Sequence, residues 1–122
     1  MEGIYYAVRR LPNLSLEQFQ SYWLNTHGPL ARRHLMTLGA RRYVQVHTLD
    51  DPLNEALQLS RGLMEPFDGI VEVFGDRQDL LKAMSTPEGL QAMSELQEDE
   101  KNFIDFSRSA MWIAKEQVIF ER

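Results

Sequence analysis

The chain has 122 residues, 43% hydrophobic and 25% charged, the balance of one globular domain with a modest core rather than of a disordered polymer. It contains no cysteine, which excludes disulfides, thiolate metal centres, iron–sulfur clusters and cysteine nucleophiles. Thirteen basic against eighteen acidic residues leave a net charge of −5, so neither nucleic acid nor an anionic membrane surface is an expected partner.

No apolar run approaches the roughly 20 residues of a bilayer span. The opening MEGIYYAVRR lacks the basic start and long apolar stretch of a secretory leader, so a cytoplasmic protein is expected. No repeat, low-complexity tract or linker divides the chain, and one domain over residues 1–122 is expected. Charge is uneven: residues 1–47 hold six Arg and two acids (+4), and residues 48–122 hold seven basic and sixteen acidic residues (−9). Segments of opposite sign attract each other within one copy or across a dimer, although solvated faces explain the asymmetry equally well.

Gly3 to Arg10 is short, aromatic and β-branched and stops before Leu11-Pro12-Asn13, which predicts a strand. Ser15 followed by Gln18 has the form of a capping box and opens a helix. Leu16, Phe19, Trp23, His27, Leu30, His34 and Leu38 then fall on one helical face. Gly28-Pro29 interrupts it, because Pro29 lacks an N–H and crowds the carbonyl of Asn25. Either a kink or a second helix starting with Pro29 is expected there, with Gly39 as the closing cap.

Ala40 to Thr48 predicts the second strand, with Val44 and Val46 on one face and Tyr43, Gln45 and His47 on the other. Residues 50–66 predict an inserted helical turn or mobile loop. Phe67 to Phe74 predicts the third strand, and Pro87 divides the following helical region into about 77–85 and 87–98. Met111 to Phe120 predicts the fourth.

This order is β-α-β-β-α-β, a ferredoxin-like α+β fold with a four-stranded antiparallel sheet and helices on one face. Ile4, Tyr6 and Val8 share one face of the first strand, and Val71 and Val73 one face of the third. Apolar and aromatic residues on both faces of the sheet predict that the face without helices is buried against a second copy, in a homodimer.

His27 is the most informative residue for chemistry. It follows Trp23 by four positions at a helix break whose freed carbonyls can fix its tautomer. Burial favours the neutral ring and helix C-terminal carbonyls favour the charged one, a balance suited to a general acid–base. A buried histidine satisfied by the kink is the competing explanation. His47 shares a strand face with Gln45 and Tyr43, a grouping suited to an apolar pocket with a few directed polar groups, or to a partly wet sheet edge. His34 follows Arg32 and Arg33 and is expected at a solvent edge. Glu98-Asp99-Glu100, ahead of Phe103 and Asp105, puts acids at a helix C-terminus, where the macrodipole opposes them. Their partners are either Arg9, Arg10, Arg41 or Arg42 in structural pairs, the preferred reading, or an imidazole that a carboxylate orients. No metal is expected: His27 and His34 lack i, i+4 spacing and no carboxylate lies on their stripe. Phosphate-binding glycine loops and hydrolase elbows are absent, so no nucleotide cofactor is expected.

LSLEQFQSYWLNTHGPL (residues 14–30) followed by GARRYVQVH (39–47) resembles the EthD domain, and so do Phe67-Asp68-Gly69-Ile70 and the Asp99-Glu100…Phe103…Asp105 run. The resemblance covers nearly the whole chain and is most specific at Tyr22-Trp23…His27-Gly28-Pro29-Leu30 and Arg42-Tyr43-Val44-Gln45. It implies a dimeric α/β barrel, in which two ferredoxin-like subunits pack their sheets face to face. Relatives in the wider superfamily include cofactor-free muconolactone isomerases, polyketide cyclases and dehydratases, and small oxygenases, and in some of these, cleft histidines move protons. His27 matches the family's motif histidine, and Tyr43 and Gln45 match its strand motif.

The resulting expectation is a cofactor-independent lyase or isomerase acting on an apolar or aromatic oxygenated small molecule. In it His27 is the principal acid–base and His47 a second proton-transfer or orienting group. Tyr43 and Gln45 bond a substrate oxygen, and Trp23 and Tyr6 supply apolar wall. A non-catalytic carrier of a small hydrophobic ligand and a cofactor-free oxygenase are the alternatives, since one fold hosts all three.

Overall fold

A computed structural model describes residues 2–122. Four strands, β1 (Glu2–Val8), β2 (Ala40–His47), β3 (Gly69–Gly75) and β4 (Ala110–Lys115), form one sheet in the order β2-β3-β1-β4. Every neighbouring pair is antiparallel. Five α-helices accompany them: α1 (Leu16–Tyr22), α2 (Gly28–Thr37), α3 (Pro52–Leu59), α4 (Arg77–Met84) and α5 (Pro87–Glu100). The predicted β-α-β-β-α-β frame is thus present, with α3 the inserted element.

The strand bounds differ from expectation where pairing partners run out. β1 ends at Val8, and Arg10 pairs instead with Ile104 in an isolated bridge. β3 spans Gly69–Gly75 rather than 67–74, because Phe67 carries no ladder partner and stacks under the Arg9 guanidinium, 4.0 Å from its ring centre. β4 stops at Lys115, the residue opposite Glu2 at the start of β1, and 116–122 leaves the sheet with Val118, Ile119 and Phe120 exposed. The 50–66 segment holds an eight-residue helix, capped by Asp51, that buries none of its residues.

The Ser15 capping box forms: its hydroxyl accepts from Gln18 N–H, and the Gln18 side chain accepts from Ser15 N–H. Of the two outcomes expected at Gly28-Pro29, the second helix is the one present: α2 begins at Gly28, and a π-helical turn, Trp23–His27, joins α1 to it without leaving the helix. The Gly28 N–H reaches back to the Trp23 carbonyl, and Pro29 sits in the first turn of α2. A wider turn gives the Pro29 ring room against the preceding carbonyls and removes the need for the N–H it lacks. Gly39 ends α2 with φ 84°, the left-handed conformation only glycine adopts without strain.

One sheet face meets the helices. Val8 and Val71 pack with Phe19, Trp23, Phe103 and Ile104 in the main core, with Tyr6, Tyr43 and Val73 against them. A second cluster, Ala31, Leu38, Ala92 and Leu96, holds α2 to α5. Gly69 is needed for the first: a Cβ there would lie 2.4 Å from the Trp23 ring, so glycine lets the indole lie directly on β3. The opposite face carries Tyr5, Val44, Val46, Ile70 and Trp112 and has no helix over it; Val46, Ile70 and Trp112 are 45%, 37% and 47% exposed.

Candidate active site

Between the helices and their sheet face lies a cavity of about 570 Å³. Its walls are largely apolar: Trp23, Ala31 and Leu35 from the first helical segment, Leu96 from α5, and Val71, Val73 and Ile113 from the sheet. His27, Tyr6, Tyr43 and Glu100 also reach its surface.

The π turn determines what His27 does. It leaves Trp23 fully buried and His27 5% exposed on the same inner side of the helix. The ring packs on Phe103 with centres 4.9 Å apart. Its Nδ1 lies 2.8 Å from Oδ2 of Asp99, one residue before the end of α5. Asp99 Oδ1 accepts from the Tyr22 hydroxyl at 2.6 Å and from Asn102 Nδ2 at 3.3 Å. Residues 103–105 bring this helix end to the sheet, since Leu11 N–H donates to the Phe103 carbonyl and Asp105 N–H to the Arg9 carbonyl.

Burial pushes Asp99 up, but hydrogen bonds from Tyr22 and His27 outweigh it and hold the carboxyl below the usual carboxylate range. It is therefore ionised at neutral pH. Burial pushes the His27 imidazole down, against the Asp99 hydrogen bond and charge, and the ring is neutral at pH 7. A carboxylate accepts only, so the ring carries its proton on Nδ1, a tautomer assigned from this bond. Nε2 has no hydrogen-bond partner among the described residues and is left as an unprotonated acceptor on a cavity-lining ring.

Within the acidic run the partner of Asp99 is therefore the imidazole, and that of Glu98 is Lys101. Arg10 pairs with Asp68, Arg9 with Glu65, and Arg41 and Arg42 make no ion pair among the described residues, which corrects the preference for arginine partners. His34 also departs from expectation. It is 8% exposed, turned inward toward α5, with Nε2 3.2 Å from Glu95 Oε2 but not aligned for a hydrogen bond.

His47 and Gln45 lie outside the cavity. The His47 ring stacks on Trp23 with centres 4.4 Å apart, and its Nε2 donates to Gln45 Oε1 at 2.8 Å. Gln45 Nε2 donates to the Trp23 carbonyl at 2.9 Å and to the Tyr43 hydroxyl at 2.8 Å. These two residues brace the π turn against β2, and the indole of Trp23 covers His47. His27 and His47 thus do not face one another across the cavity. Tyr43, Tyr6 and Trp23 do line it.

Two further groups carry little signal in the sequence. Tyr22 stands out there only as part of a motif. Glu100 lies four residues after Leu96 and eight after Ala92, both buried, so the helical period alone turns it inward. Among the described residues no group of three His, Asp or Glu gathers as a metal site, and no helix is long and apolar enough to cross a membrane.

A family model described as the EthD domain matches residues 11–107. Curated proteins provide no match. Among solved structures the chain is similar to an EthD family protein of Bacillus halodurans, with 23% identity over 96% of this chain and 100% of that one and a TM-score of 0.60. It is also similar to a dimeric protein of ferredoxin-like fold and unknown function from Bacteroides fragilis (8% identity, 94% and 95% covered, TM-score 0.56). A third similar structure is a Nitrosomonas europaea protein provisionally assigned as an antibiotic biosynthesis monooxygenase (13% identity, 97% and 100% covered, TM-score 0.51).

Proposed function

The chain belongs to the EthD family, and on that premise we propose that it is a cofactor-independent lyase or isomerase. It moves a proton on an apolar or aromatic oxygenated compound held between helices and sheet. One observation carries the reading: the Tyr22–Asp99–His27 chain of hydrogen bonds ends on the wall of an apolar cavity. Structural histidines do not require an ionised, doubly braced carboxylate behind them. A general base does, since the carboxylate holds the ring and stabilises the imidazolium formed when Nε2 takes a proton. The carbon acid or phenol that gives up that proton sits against Trp23, Val71 and Leu96, and Tyr43 is the nearby hydroxyl for its oxygen.

Hydrogen–deuterium exchange at the carbon next to the carbonyl of α-tetralone, a neutral bicyclic ketone, tests this without knowledge of the natural substrate. The protein accelerates exchange, and His27→Ala lowers the acceleration by about 10²–10⁴. A loss below about threefold overturns the base assignment. Ligand binding with no acceleration above buffer identifies a carrier instead. Oxygen uptake accompanying loss of a phenolic ligand identifies a cofactor-free oxygenase, whose chemistry the same base would start.

The uncovered sheet face supports a second element of the proposal, a homodimer. Val46 and Ile70, opposite each other on β2 and β3, and Trp112 on β4 expose apolar surface on the sheet face that carries no helix, surface that a second copy would bury. Light scattering at micromolar concentration gives twice the chain mass. A monomer at that concentration overturns it.

A further inference from the structure

Glu100 differs from every other acid on α5. It ends the helix on the cavity wall, which Tyr6 of β1 also lines. Burial, first, and the neighbouring Asp99 charge push the Glu100 carboxyl up to about 7, with the Tyr6 hydrogen bond opposing them. Burial and the Glu100 charge likewise push the Tyr6 hydroxyl up. Below pH 7 the Glu100 carboxyl therefore keeps its proton, as the Tyr6 hydroxyl does throughout, and the pair offers a hydrogen-bond donor on an apolar wall.

The remaining charges around the cavity can be placed element by element. β1 contributes Glu2 and Tyr6, β2 contributes Tyr43, and β3 contributes no titratable side chain. The π turn brings His27, which is committed to Asp99, and α5 brings Glu100. At the start of α4, Asp76 caps its own helix through the Gln78 and Asp79 N–H groups, and Arg77 is held by Glu2 at 2.8 Å. Arg77 is the one permanent cation lining the cavity among the described residues, and it is already paired. A carboxylate ligand would lose its hydration in apolar surroundings, next to carboxyls, with no free counter-ion. A neutral carbonyl would find a donor.

We propose that Glu100 and Tyr6 form a second polar pole of the cavity, which hydrogen-bonds the carbonyl or hydroxyl oxygen of the ligand and restricts the site to uncharged ketones, lactones and phenols. This rests on the proton-transfer reading only in using the same cavity. His27 acts at one place on the ligand, and Glu100 with Tyr6 holds an oxygen at another.

Calorimetric titration of α-tetralone and 1-naphthoate, a neutral and an anionic bicycle of similar size, tests the proposal. At pH 6 the ketone binds at least about tenfold more tightly than the carboxylate. As pH rises from 6 to 8.5, Glu100 loses its proton and ketone affinity falls by about threefold or more. Glu100→Gln keeps an N–H donor at every pH and removes that fall. Equal or tighter binding of 1-naphthoate overturns the proposal, and so does a pH dependence that survives in Glu100→Gln. The wild-type comparison of the two ligands decides the matter even if the variant does not fold. Equal binding with His27-dependent exchange intact overturns the Glu100 pole alone, whereas failure of both ligands to bind overturns the cavity as a site.

Discussion

Replacing Asp99 by Asn preserves shape and removes charge, and the surrounding bonds dictate how the new side chain sits. Asp99 Oδ1 is the atom approached by two donors, the Tyr22 hydroxyl at 2.6 Å and Asn102 Nδ2 at 3.3 Å. The carbonyl oxygen of the new amide must occupy that position, which turns its NH₂ toward His27 Nδ1. An amide N–H facing Nδ1 forces the ring proton to Nε2, and the cavity then meets a donor where it met an acceptor. An inverted tautomer of this kind costs a serine protease triad about 10⁴ in rate, so exchange into α-tetralone is expected to fall by about 10²–10⁴.

Folding is expected to weaken as well. Hydrogen bonds to a charged partner contribute about 1.5–3 kcal/mol each and neutral ones about 0.5–1.5. Asp99 is 17% exposed on its side chain, and its three bonds persist only in neutral form, the one to His27 reversed, so a loss of about 1–3 kcal/mol is expected at pH 7. Because the Asp99 carboxyl is held low in the folded protein, its contribution is full above the usual carboxylate range and is lost as pH falls through its folded value. The stabilities of the two proteins therefore converge in acid. Nitrogen-15 NMR of the imidazole reads the tautomer, and urea unfolding at pH 7 and in acid reads the stability. A ring that keeps its proton on Nδ1, with exchange within threefold of wild type, refutes the reasoning.

His47→Ala is expected to change exchange by less than about threefold, since the ring is outside the cavity, while removing its stack on Trp23 lowers stability by about 1 kcal/mol. A larger rate loss with stability intact would return His47 to the site. Glu100→Gln is expected to stabilise the fold at pH 8 by about 1–3 kcal/mol and to be nearly neutral near pH 4.5. The sign follows from a carboxyl raised to about 7: the folded state holds its proton between the usual 4.5 and 7, and that contribution is lost as pH rises through 7. Unfolding curves at the two pH values check it, and equal shifts at both would contradict it. Gly69→Ala puts a methyl into the Trp23 ring and is expected to cost about 1–3 kcal/mol, with tryptophan fluorescence reporting the displaced indole.

Local pattern was enough to read the element order, the Ser15 cap, the Gly39 terminus, and the face on which Tyr43, Gln45 and His47 alternate. Each of these depends on a few neighbouring residues: a capping pair, a positive φ, a period of two. The motif residues pointed to the family as well, because they hold one helix to one strand at a fixed spacing. What Gly28-Pro29 becomes did not follow from the residues beside it. A proline excludes the regular ladder, but a π turn rather than a break was selected by Gln45, 22 residues away, bonding the Trp23 carbonyl, and by Gly69 admitting the indole.

The site was decided in the same way. His27 was recognisable as a candidate, but whether it is a braced base or a buried filler depends on Asp99, 72 residues later, arriving at its Nδ1. His47 was expected only as a second proton-transfer or orienting group beside His27, and its stacking on Trp23 puts it on the outer side. Glu100 carried a helical-phase signal that only the cavity made meaningful. A linear sequence specifies which groups share a face. Which faces meet, and therefore which groups exchange protons, is set by long-range packing that no local period encodes.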